Sequence, residues 1–381
     1  MDFSLSDDEM AFRAKIRAFA ENEIKPIVPK LEKNEEFPWD TVKKMAGMGL
    51  FGLIFSKEYG GLELGYIYYA IAVEELSRVC GSHGITVASH NSLCSNHINI
   101  AGTEEQKKKY LTPLAKGEKL GAWGLTEPNA GSDAGGTQTT AVLDGDEWII
   151  NGAKQFITQG SVAETYVIIA STDKSKKQKG ITAFIIEKGT PGFRPGQLEH
   201  KLGLKISDTS ELILEDCRVP KENMLGEQDR AFYDTMKVLD GGRISIGAMA
   251  LGLAQGALDE AIKYVKQRQQ FGKPISKFQA IQWQLADMAT EIEAARLLIY
   301  RAAYMANKKT EKYTKESAMG KLYASEVGMR AARKAVQILG GIGYTKRAIV
   351  ERIMRDVKLC EIGEGTSEIQ RLVIARYLGI K

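Results

Sequence analysis

Glu364 is a carboxylate whose neighbours could make it a reacting base. It lies between Gly363 and Gly365, and a helix is expected to begin near Ser367, because Ser367 and Gln370 have the spacing of a capping box. A carboxylate just before a helix N-terminus commonly does no more than complement the helix dipole. Bare glycines on both sides would instead let a ligand pack tightly against the carboxylate. The spacing alone supports the two interpretations equally.

Four other segments combine glycines or turn formers with hydroxyl, aromatic or guanidinium groups. Residues 125–133 would let a flat or phosphorylated ligand approach the backbone, although they also have the composition of an ordinary polar loop. Residues 155–158 offer an aromatic ring and a hydroxyl on a short strand, or simply end that strand. Residues 268–274 place an arginine, whose fork suits a pyrophosphate, where a helix stop with a C-terminal cation is also expected. Residues 337–344 contain three glycines that could contact phosphate through backbone amides or cap a helix.

The histidines and cysteines do not have the spacing of a metal site. His83, His90 and His97 are seven residues apart, which is about 10 Å along a helix, whereas zinc ligands lie roughly 2 Å from the metal. The four cysteines are far apart and form no Cys-x-x-Cys motif. We therefore predict no bound metal and no disulfide framework. His97 could line a pocket or pack within a helical core.

Composition limits the class of protein. The chain has 381 residues, of which 44% are hydrophobic and 26% charged, as in soluble globular proteins. The net charge of +4 comes from scattered residues and does not indicate nucleic-acid binding. The acidic start argues against a signal peptide, and no apolar run reaches the roughly 18 residues of a membrane span. We expect a cytoplasmic protein of two or three domains that does not insert into a membrane.

Hydrophobic patterning divides the chain into three segments. Residues 1–118 have apolar residues at helical spacing. Residues 119–226 consist of short β-branched runs separated by Gly and Pro, with a hairpin signal at Asp144-Gly145. The helical stretches that a parallel sheet requires are missing, so this segment is expected to be antiparallel. Residues 227–381 return to long helices, whose glycines allow close packing, as is typical of a bundle.

Taken in order, these motifs resemble those of the acyl-CoA dehydrogenase family of flavoenzymes over essentially the whole chain, and most closely its short-chain, butyryl-like branch. Each motif is weak alone, but six in the same order make a specific signal. The motifs are Leu125-Thr-Glu-Pro-x-x-Gly-Ser-Asp133, Phe156-Ile-Thr158, Asp240-Gly-Gly-Arg243, Arg268-Gln-Gln-Phe-Gly272, Gln337-x-x-Gly-Gly-x-Gly-Tyr344 and Glu364-Gly-Thr-Ser-Glu368. The resemblance implies an α+β fold with an N-terminal helical domain, a central antiparallel β-barrel-like domain and a C-terminal four-helix bundle, usually in a homotetramer.

The resemblance also implies which residues bind FAD and an acyl-CoA thioester. Glu364 would be the catalytic base. The cofactor-binding residues would be Leu125, Thr126, Gly131, Ser132, Phe156, Ile157, Thr158, Arg268, Phe271, Gln337, Gly341, Thr366 and Glu368. Four of these, at positions 268, 271, 337 and 341, would reach the FAD of a neighbouring subunit. The substrate-binding residues would be Ser132, Asp240, Arg243, Gly363, Gly365, Asn91 and His97.

The reaction that the resemblance implies is α,β-dehydrogenation. Glu364 would remove the α-proton while the β-hydrogen leaves as hydride to flavin N5, near Thr158. The thioester oxygen must be stabilised as charge develops, and in this family the backbone N–H of the base and a flavin ribityl hydroxyl do so. The electrons would then pass to an electron-transfer flavoprotein. Burial should raise the pKa of Glu364 and the helix N-terminus should lower it, and the sequence leaves open which effect is larger.

Two departures from relatives bear on the site. Some family members carry the base immediately before the arginine that matches Arg243, and here that position is Gly242, so Glu364 has no competitor. The residue before the base is often Tyr in butyryl-like enzymes, whereas here it is Gly363. The missing ring predicts a pocket for acyl groups bulkier than butyryl, such as branched, cyclic or aryl-substituted ones. Polar character in this pocket would come from Asn91, Cys94 and His97.

Two other functions are compatible with the same motifs. An acyl-CoA oxidase or a nitroalkane oxidase would share this fold but would be reoxidised rapidly by oxygen. A non-catalytic flavin- or CoA-binding scaffold would bind its ligand without turnover, although the presence of Glu364 argues against it.

Overall fold

The computed structural model describes residues 4–308 and 312–380, so the outermost residues of the first and last predicted segments lie outside the described ranges. The chain begins with helices, continues through a β-sheet and ends in long helices. The N-terminal helices are α1 Asp7–Phe19, α2 Val28–Asn34, α3 Trp39–Gly47, α4 Gly65–Val79, α5 Gly81–Ser89, α6 Asn96–Ala101, α7 Glu104–Gln106 and α8 Thr112–Ala115. No helix in the described ranges has the length and apolar character needed to cross a membrane.

The middle part of the chain forms one eight-stranded sheet. Its strands are β1 Gly121–Gly124, β2 Thr140–Asp144, β3 Glu147–Thr158, β4 Thr165–Ser171, β5 Ile181–Glu187, β6 Phe193–Leu198, β7 Thr209–Pro220 and β8 Met224–Leu225. The strand order is β6-β7-β3-β2-β4-β5-β8, with β1 added along β4. Within the described part of the chain the end strands β6 and β8 do not pair with each other. The sheet is therefore not a closed barrel, and the expectation of a barrel-like domain is wrong in this respect.

The sheet is mostly antiparallel, as predicted, with two exceptions. Strand β1 pairs in parallel with β4, and β2 contacts β4 at a single parallel position. The sequence did not predict β1, because its residues Gly-Ala-Trp-Gly include no β-branched side chain. The predicted hairpin at Asp144-Gly145 is confirmed, since Asp144 pairs with Glu147 where β2 and β3 meet.

Long helices form the C-terminal part, as predicted. They are α9 Ala231–Gln267, α10 Gln279–Asn307 and α11 Thr314–Leu339, followed by the shorter α12 Val350–Val357 and α13 Ser367–Tyr377. The small hairpin of β9 Gln269–Gln270 and β10 Lys273–Pro274 separates α9 from α10. Helix α9 packs on α11, α10 and the N-terminal helix α4, so it joins the two helical parts of the molecule.

The glycines of α9 bring helix backbones into close contact, as the sequence predicts. A Cβ at Gly252 would lie 2.1 Å from the backbone oxygen of Glu74, and one at Gly256 would lie 2.3 Å from that of Arg78. Both neighbours belong to α4. No larger residue fits at either crossing without moving a helix.

Buried charges also fix α4 between its neighbours. The carboxylates of Glu74 and Glu75 are almost fully buried. Nε of Arg13, on α1, lies 2.6 Å from Oε1 of Glu75, and Nη2 of Arg296, on α10, lies 3.0 Å from Oε1 of Glu74. Buried carboxylates require such partners, so this cluster orients α1 and α10 on α4.

Candidate active site

Glu364 lies on the loop between α12 and α13, in a backbone conformation that favours glycine. Its φ is 52°, and that of the following Gly365 is 90°. A non-glycine residue in this region costs about 1–3 kcal/mol, so other contacts must maintain the turn. Oε2 of Glu364 is buried and has no hydrogen-bond partner within the described ranges. Buried polar atoms are rarely left unpaired in proteins, and those that are often have a functional reason.

Gly242, on α9, faces the Glu364 carboxylate. A Cβ at position 242 would lie 1.7 Å from Oε2 and 2.8 Å from Cδ of Glu364. Only glycine therefore leaves room for the carboxylate in this position. The two places that the family resemblance offers for a base, one on α9 and one on the loop before α13, are thus adjacent in space.

Burial is the main influence on the ionisation of Glu364, and it raises the pKa of this carboxyl to about 7. The positive charges of Lys321 and Arg243 act in the opposite direction. Burial therefore outweighs these two charges, and the pKa of Glu364 rises in the direction that the sequence analysis expected of burial. A carboxylate that titrates near neutral pH is well suited to act as a general base.

Two side chains hold the backbone beside Glu364. Nζ of Lys321, a fully buried residue of α11, donates to the carbonyl oxygen of Gly365 at 2.6 Å. Nε2 of Gln370 donates to the same oxygen at 2.9 Å and to the carbonyl of Glu364 at 3.3 Å. These bonds fix the left-handed turn from both the bundle and the following helix.

The N-terminus of α13 is capped differently from the prediction. The helix does begin at Ser367, but Oγ1 of Thr366 accepts the capping bond, from the N–H of Ile369 at 3.3 Å. The predicted capping box of Ser367 and Gln370 is therefore wrong, because the Gln370 side chain is engaged by the loop carbonyls. Thr366 and the exposed Glu368 remain predicted FAD contacts.

Asp240 and Arg243 lie one turn apart on α9, the helix whose Gly242 faces the Glu364 carboxylate. Nη1 of Arg243 lies 2.6 Å from Oδ1 of Asp240, and Oγ1 of Thr314 donates to the other carboxylate oxygen at 2.5 Å. Burial lowers the pKa of Arg243 and raises that of Asp240. Nε of Arg243 is buried without a partner in the described chain, so it is available to a polar group of a ligand.

The loop of residues 125–133 lies directly beside β3. The N–H of Gln155 donates to the carbonyl of Thr126 at 2.8 Å, and Nζ of Lys154 donates to the carbonyl of Leu125 at 3.2 Å. Lys154 also forms a buried ion pair with Glu127, 2.6 Å between Nζ and Oε1. Burial lowers the pKa of Lys154 to about 8. The structure thus brings together two segments that the sequence identified separately.

Phe156 is an exposed aromatic ring on a strained part of β3. The pairing of β3 with β7 shifts register between Lys154 and Ile157, which leaves Phe156 with a φ of 59° and 58% exposed. The positive φ and the exposed ring do not stabilise the isolated chain. Both are consistent with a ring that stacks on a flat ligand. Just beyond Thr158, Oγ of Ser89 donates to Oε1 of Gln159 at 2.8 Å, which ties the end of β3 to α5.

A second group of predicted cofactor residues lines a cleft between the β9–β10 hairpin and the end of α11. The cleft has a volume of about 530 Å³ and is lined by Arg268 and Gly341, among others. Phe271, at the tip of the hairpin, has a φ of 53° and is 90% exposed. Gln337 is exposed near the end of α11. Arg268 and Gly341 therefore lie in one cleft, Phe271 and Gln337 lie on the two elements that border it, and FAD binding by these four residues stays a prediction.

The residues present fit an FAD. Phe156 and Phe271 offer exposed rings to a flat ring system. A Cβ at Gly131 or Gly341 would meet no atom within 4 Å, so packing does not require glycine there and the open backbone is accessible to phosphate. Arg268, at the end of α9, supplies the planar cation that suits a pyrophosphate.

Asn91 and His97 are buried in the helical part of the molecule. Nδ2 of Asn91 donates to the carbonyls of Leu50 and Val87, and Nδ1 of His97 accepts from Nε1 of Trp123 at 3.1 Å. Oδ1 of Asn91 and Nε2 of His97 have no partner among the described residues. Their role in a substrate pocket stays a prediction.

Lys321 and Lys154 were missed by the sequence analysis, because lysine in a periodic segment is normally solvent-exposed. A signal existed for Lys321, which shares a face of α11 with Ala318, Ala324 and Ser325, all buried.

In the parts of the chain that the structure describes, no group of three or more His, Cys, Asp or Glu residues could hold a metal ion.

Comparison with known proteins identifies the chain. Models of the acyl-CoA dehydrogenase N-terminal, middle and C-terminal domains match residues 6–118, 122–217 and 230–379. The chain therefore belongs to the acyl-CoA dehydrogenase family. It is an FAD-dependent oxidoreductase that acts on the CH–CH bond of an acyl-CoA thioester.

Individual relatives are similar over their full length. The short-chain specific acyl-CoA dehydrogenase of Clostridium acetobutylicum is 55% identical over 98% of this chain and 99% of its own. The solved butyryl-CoA dehydrogenase of Megasphaera elsdenii is 46% identical, with a TM-score of 0.97 over 99% of this chain and 100% of its own. A structure described as an electron transferring flavoprotein of Acidaminococcus fermentans, studied for flavin-based electron bifurcation, is 50% identical, with a TM-score of 0.98 over 99% of both chains.

Proposed function

We propose that Glu364 is the base that removes the α-proton of the acyl-CoA substrate. The observation that carries this proposal is the buried, unpaired Oε2, which lies in the space left by Gly242. A pKa near 7 keeps a large fraction of the carboxylate ionised at neutral pH. Within the described ranges, the backbone N–H of Glu364 donates to no group, so it can stabilise the thioester oxygen as negative charge develops.

The chain's part in the reaction is to position the substrate and to accept one proton. The α C–H bond breaks toward Oε2, and its electron pair forms the new α,β double bond as the β-hydrogen leaves with its own pair. FAD, when bound, supplies the acceptor for that hydride. Arg243 and Lys321 keep positive charge near the carboxylate, and Leu125, Thr126 and Phe156–Thr158 would hold the cofactor against the substrate.

The substitution Glu364→Gln tests this assignment. The amide has nearly the shape of the carboxylate but cannot accept the proton, so turnover should fall by at least about 1,000-fold. FAD content, read from flavin absorbance per protein, should not change. A rate within tenfold of the wild type would show that another group removes the proton.

We further propose that the acyl pocket accepts groups bulkier than butyryl. The supporting observation is Gly363, beside the base, where a Cβ would make only ordinary contacts, 3.5 Å to the carbonyl and 3.6 Å to Cγ of Leu359. Position 363 can therefore carry a side chain, and its glycine leaves space next to the reacting carbons.

A panel of straight, branched, cyclic and aryl-substituted acyl-CoA thioesters tests this proposal. The ratio of kcat/KM for bulky substrates to that for butyryl-CoA should exceed one in the wild type. Gly363→Tyr should reduce that ratio by about 10–100-fold, because a ring would fill the space, while Gly363→Ala should change it little. A strict preference of the wild type for butyryl-CoA would contradict the proposal.

We propose an electron-transfer flavoprotein as the electron acceptor. The supporting finding is the 50% identical structure from a study of an electron transferring flavoprotein, which associates a similar chain with such a carrier. Reduced enzyme mixed anaerobically with such a flavoprotein should be reoxidised within seconds, whereas air should act slowly. Rapid reoxidation by air would favour an oxidase instead.

We also propose that the protein forms a homotetramer and is located in the cytoplasm. A homotetramer would cover large apolar side chains that this chain leaves exposed, such as Phe271 and Trp283, and light scattering should then give four times the 42.0 kDa chain mass. A cytoplasmic location fits the four buried, unpaired cysteines, since reducing compartments keep thiols free.

A further inference from the structure

Lys321 is a fully buried lysine that touches the loop of the base without contacting the carboxylate. Its Nζ donates to the carbonyl of Gly365, the residue directly after Glu364, at 2.6 Å. Gly365 and Glu364 both have positive φ, so this carbonyl belongs to the turn that aims the carboxylate. A buried ammonium is costly unless hydrogen bonds or an opposite charge compensate for the lost hydration.

The charged and titratable groups that act on this lysine lie on three neighbouring parts of the chain. Glu364 lies on the loop, Arg243 on α9, and Cys360 and Glu361 on the turn after α12. Burial lowers the pKa of Lys321 to about 8, so at neutral pH the ammonium form predominates.

Few charged groups act on the buried Glu364 carboxyl. Besides Lys321 it interacts with Arg243, and Tyr69 of α4 faces it as a buried neutral phenol. Arg243 already has a close carboxylate partner in Asp240. Lys321 has no carboxylate within salt-bridge distance in the described chain, so its charge is left to act on Glu364.

We propose that Lys321 is a positioning residue for the base, which holds the Glu364–Gly365 turn through the Gly365 carbonyl and keeps the Glu364 carboxylate ionised through its charge. This inference rests on the proposed role of Glu364. Gln370, which donates to the same carbonyl but carries no charge, performs only the first of these two tasks.

The test compares Lys321→Met with Gln370→Leu in the FAD-loaded enzyme. Without the ammonium, the pH midpoint at which Glu364 ionises should rise by about one pH unit. The acid limb of kcat/KM should shift upward equally, and kcat/KM at pH 7 should fall about fivefold from the smaller ionised fraction alone. Gln370→Leu should lower kcat without moving the midpoint. A purely structural role of Lys321 would lower kcat and leave the midpoint unchanged.

A second readout does not depend on activity. The free energy of unfolding of the wild type is compared with that of Glu364→Gln at several pH values. The pH dependence of this difference reports the ionisation of Glu364, and the same comparison is repeated in the Lys321→Met background. An unshifted midpoint would overturn the role of Lys321 whether or not Glu364 is the base, whereas activity of Glu364→Gln would overturn only the proposed base. If Lys321→Met yields no holoenzyme, Lys321→Gln, which keeps a donor but no charge, carries the same prediction.

Discussion

At the scale of the residue, the site depends on one missing side chain. Gly242 leaves the space that the Glu364 carboxylate occupies, and the left-handed turn at Glu364 directs the carboxylate into it. Local preferences favour neither feature, because glycine is a poor helix former and glutamate rarely adopts a positive φ. A small substitution at position 242 should therefore affect catalysis more than stability.

The substitution Gly242→Ala should displace the carboxylate. Its methyl carbon would lie only 1.7 Å from the present position of Oε2 of Glu364. The Glu364 side chain must therefore move away. A displacement of about 1 Å at a reacting group costs roughly 100-fold in kcat. The melting temperature should not fall, because alanine is a better helix former than glycine within α9. A wild-type kcat would show that the carboxylate is not held where the structure places it.

At the scale of the element, the close crossing of α9 and α4 fixes the platform on which the site is built. Gly252 lies at this crossing, with its would-be Cβ 2.1 Å from a backbone oxygen of α4. The rigid oxygen cannot yield as a side chain could, so the helices themselves would have to separate.

Gly252→Ala should therefore lower the free energy of unfolding by about 1–3 kcal/mol. Gly47→Ala is the matched control, because Gly47 is also helical but has no atom within 4 Å of its Cβ position. That variant should be neutral or stabilising by up to about 1 kcal/mol. Chemical denaturation of both holoenzymes measures the difference, and equal effects would contradict the account of this crossing.

The elements themselves were largely predictable, and the exceptions have physical causes. The long helices and the β2–β3 hairpin carry periodic or turn signals that need no tertiary information. Strand β1 lacks such a signal, since two of its four residues are glycine and all are buried against distant partners. The cap of α13 was misassigned because Thr366, Ser367 and Gln370 can all form capping bonds, and the loop carbonyls decide which does.

At the scale of the whole molecule, three buried histidines make stability depend on pH. Burial lowers the pKa of His83 and His97 to about 3 and that of His90 to about 4. In the unfolded chain each binds a proton near pH 6.5. Their contribution to stability is therefore complete above pH 6.5 and is lost as the pH falls toward 4 and below. Glu364 and Asp356, whose pKa values burial raises, change stability in the opposite direction.

Comparing the wild type with His97→Gln isolates one of these protons. The contributions of Glu364, Asp356 and the other two histidines to the pH dependence of stability are the same in both proteins and cancel. The remaining difference reports the protonation of His97. The wild type should be the more stable at pH 7.5, and its advantage should shrink by roughly 1.4 kcal/mol per pH unit between pH 6 and 4. Denaturant unfolding at several pH values measures this, and an advantage independent of pH would contradict a neutral His97.

The sequence predicted the class of enzyme more fully than it predicted the geometry of its site. The ordered motifs identified the family, but the buried pairs that hold them in place, Lys154 with Glu127 and Lys321 with the Gly365 carbonyl, depend on contacts between distant segments. Spacing could at most place Lys321 on the buried face of its helix, and it carries no information about the group with which either lysine pairs.

The central claim, that the Glu364 carboxylate removes the α-proton, is tested most directly by hydrogen exchange. An acyl-CoA whose β-carbon carries no hydrogen can lose its α-proton but cannot be oxidised, so NMR in D₂O follows proton removal alone. The wild-type holoenzyme should exchange the α-hydrogens, with a rate that rises as the pH passes about 7. Glu364→Gln should not exchange them above the uncatalysed rate, and undiminished exchange in that variant would contradict the account.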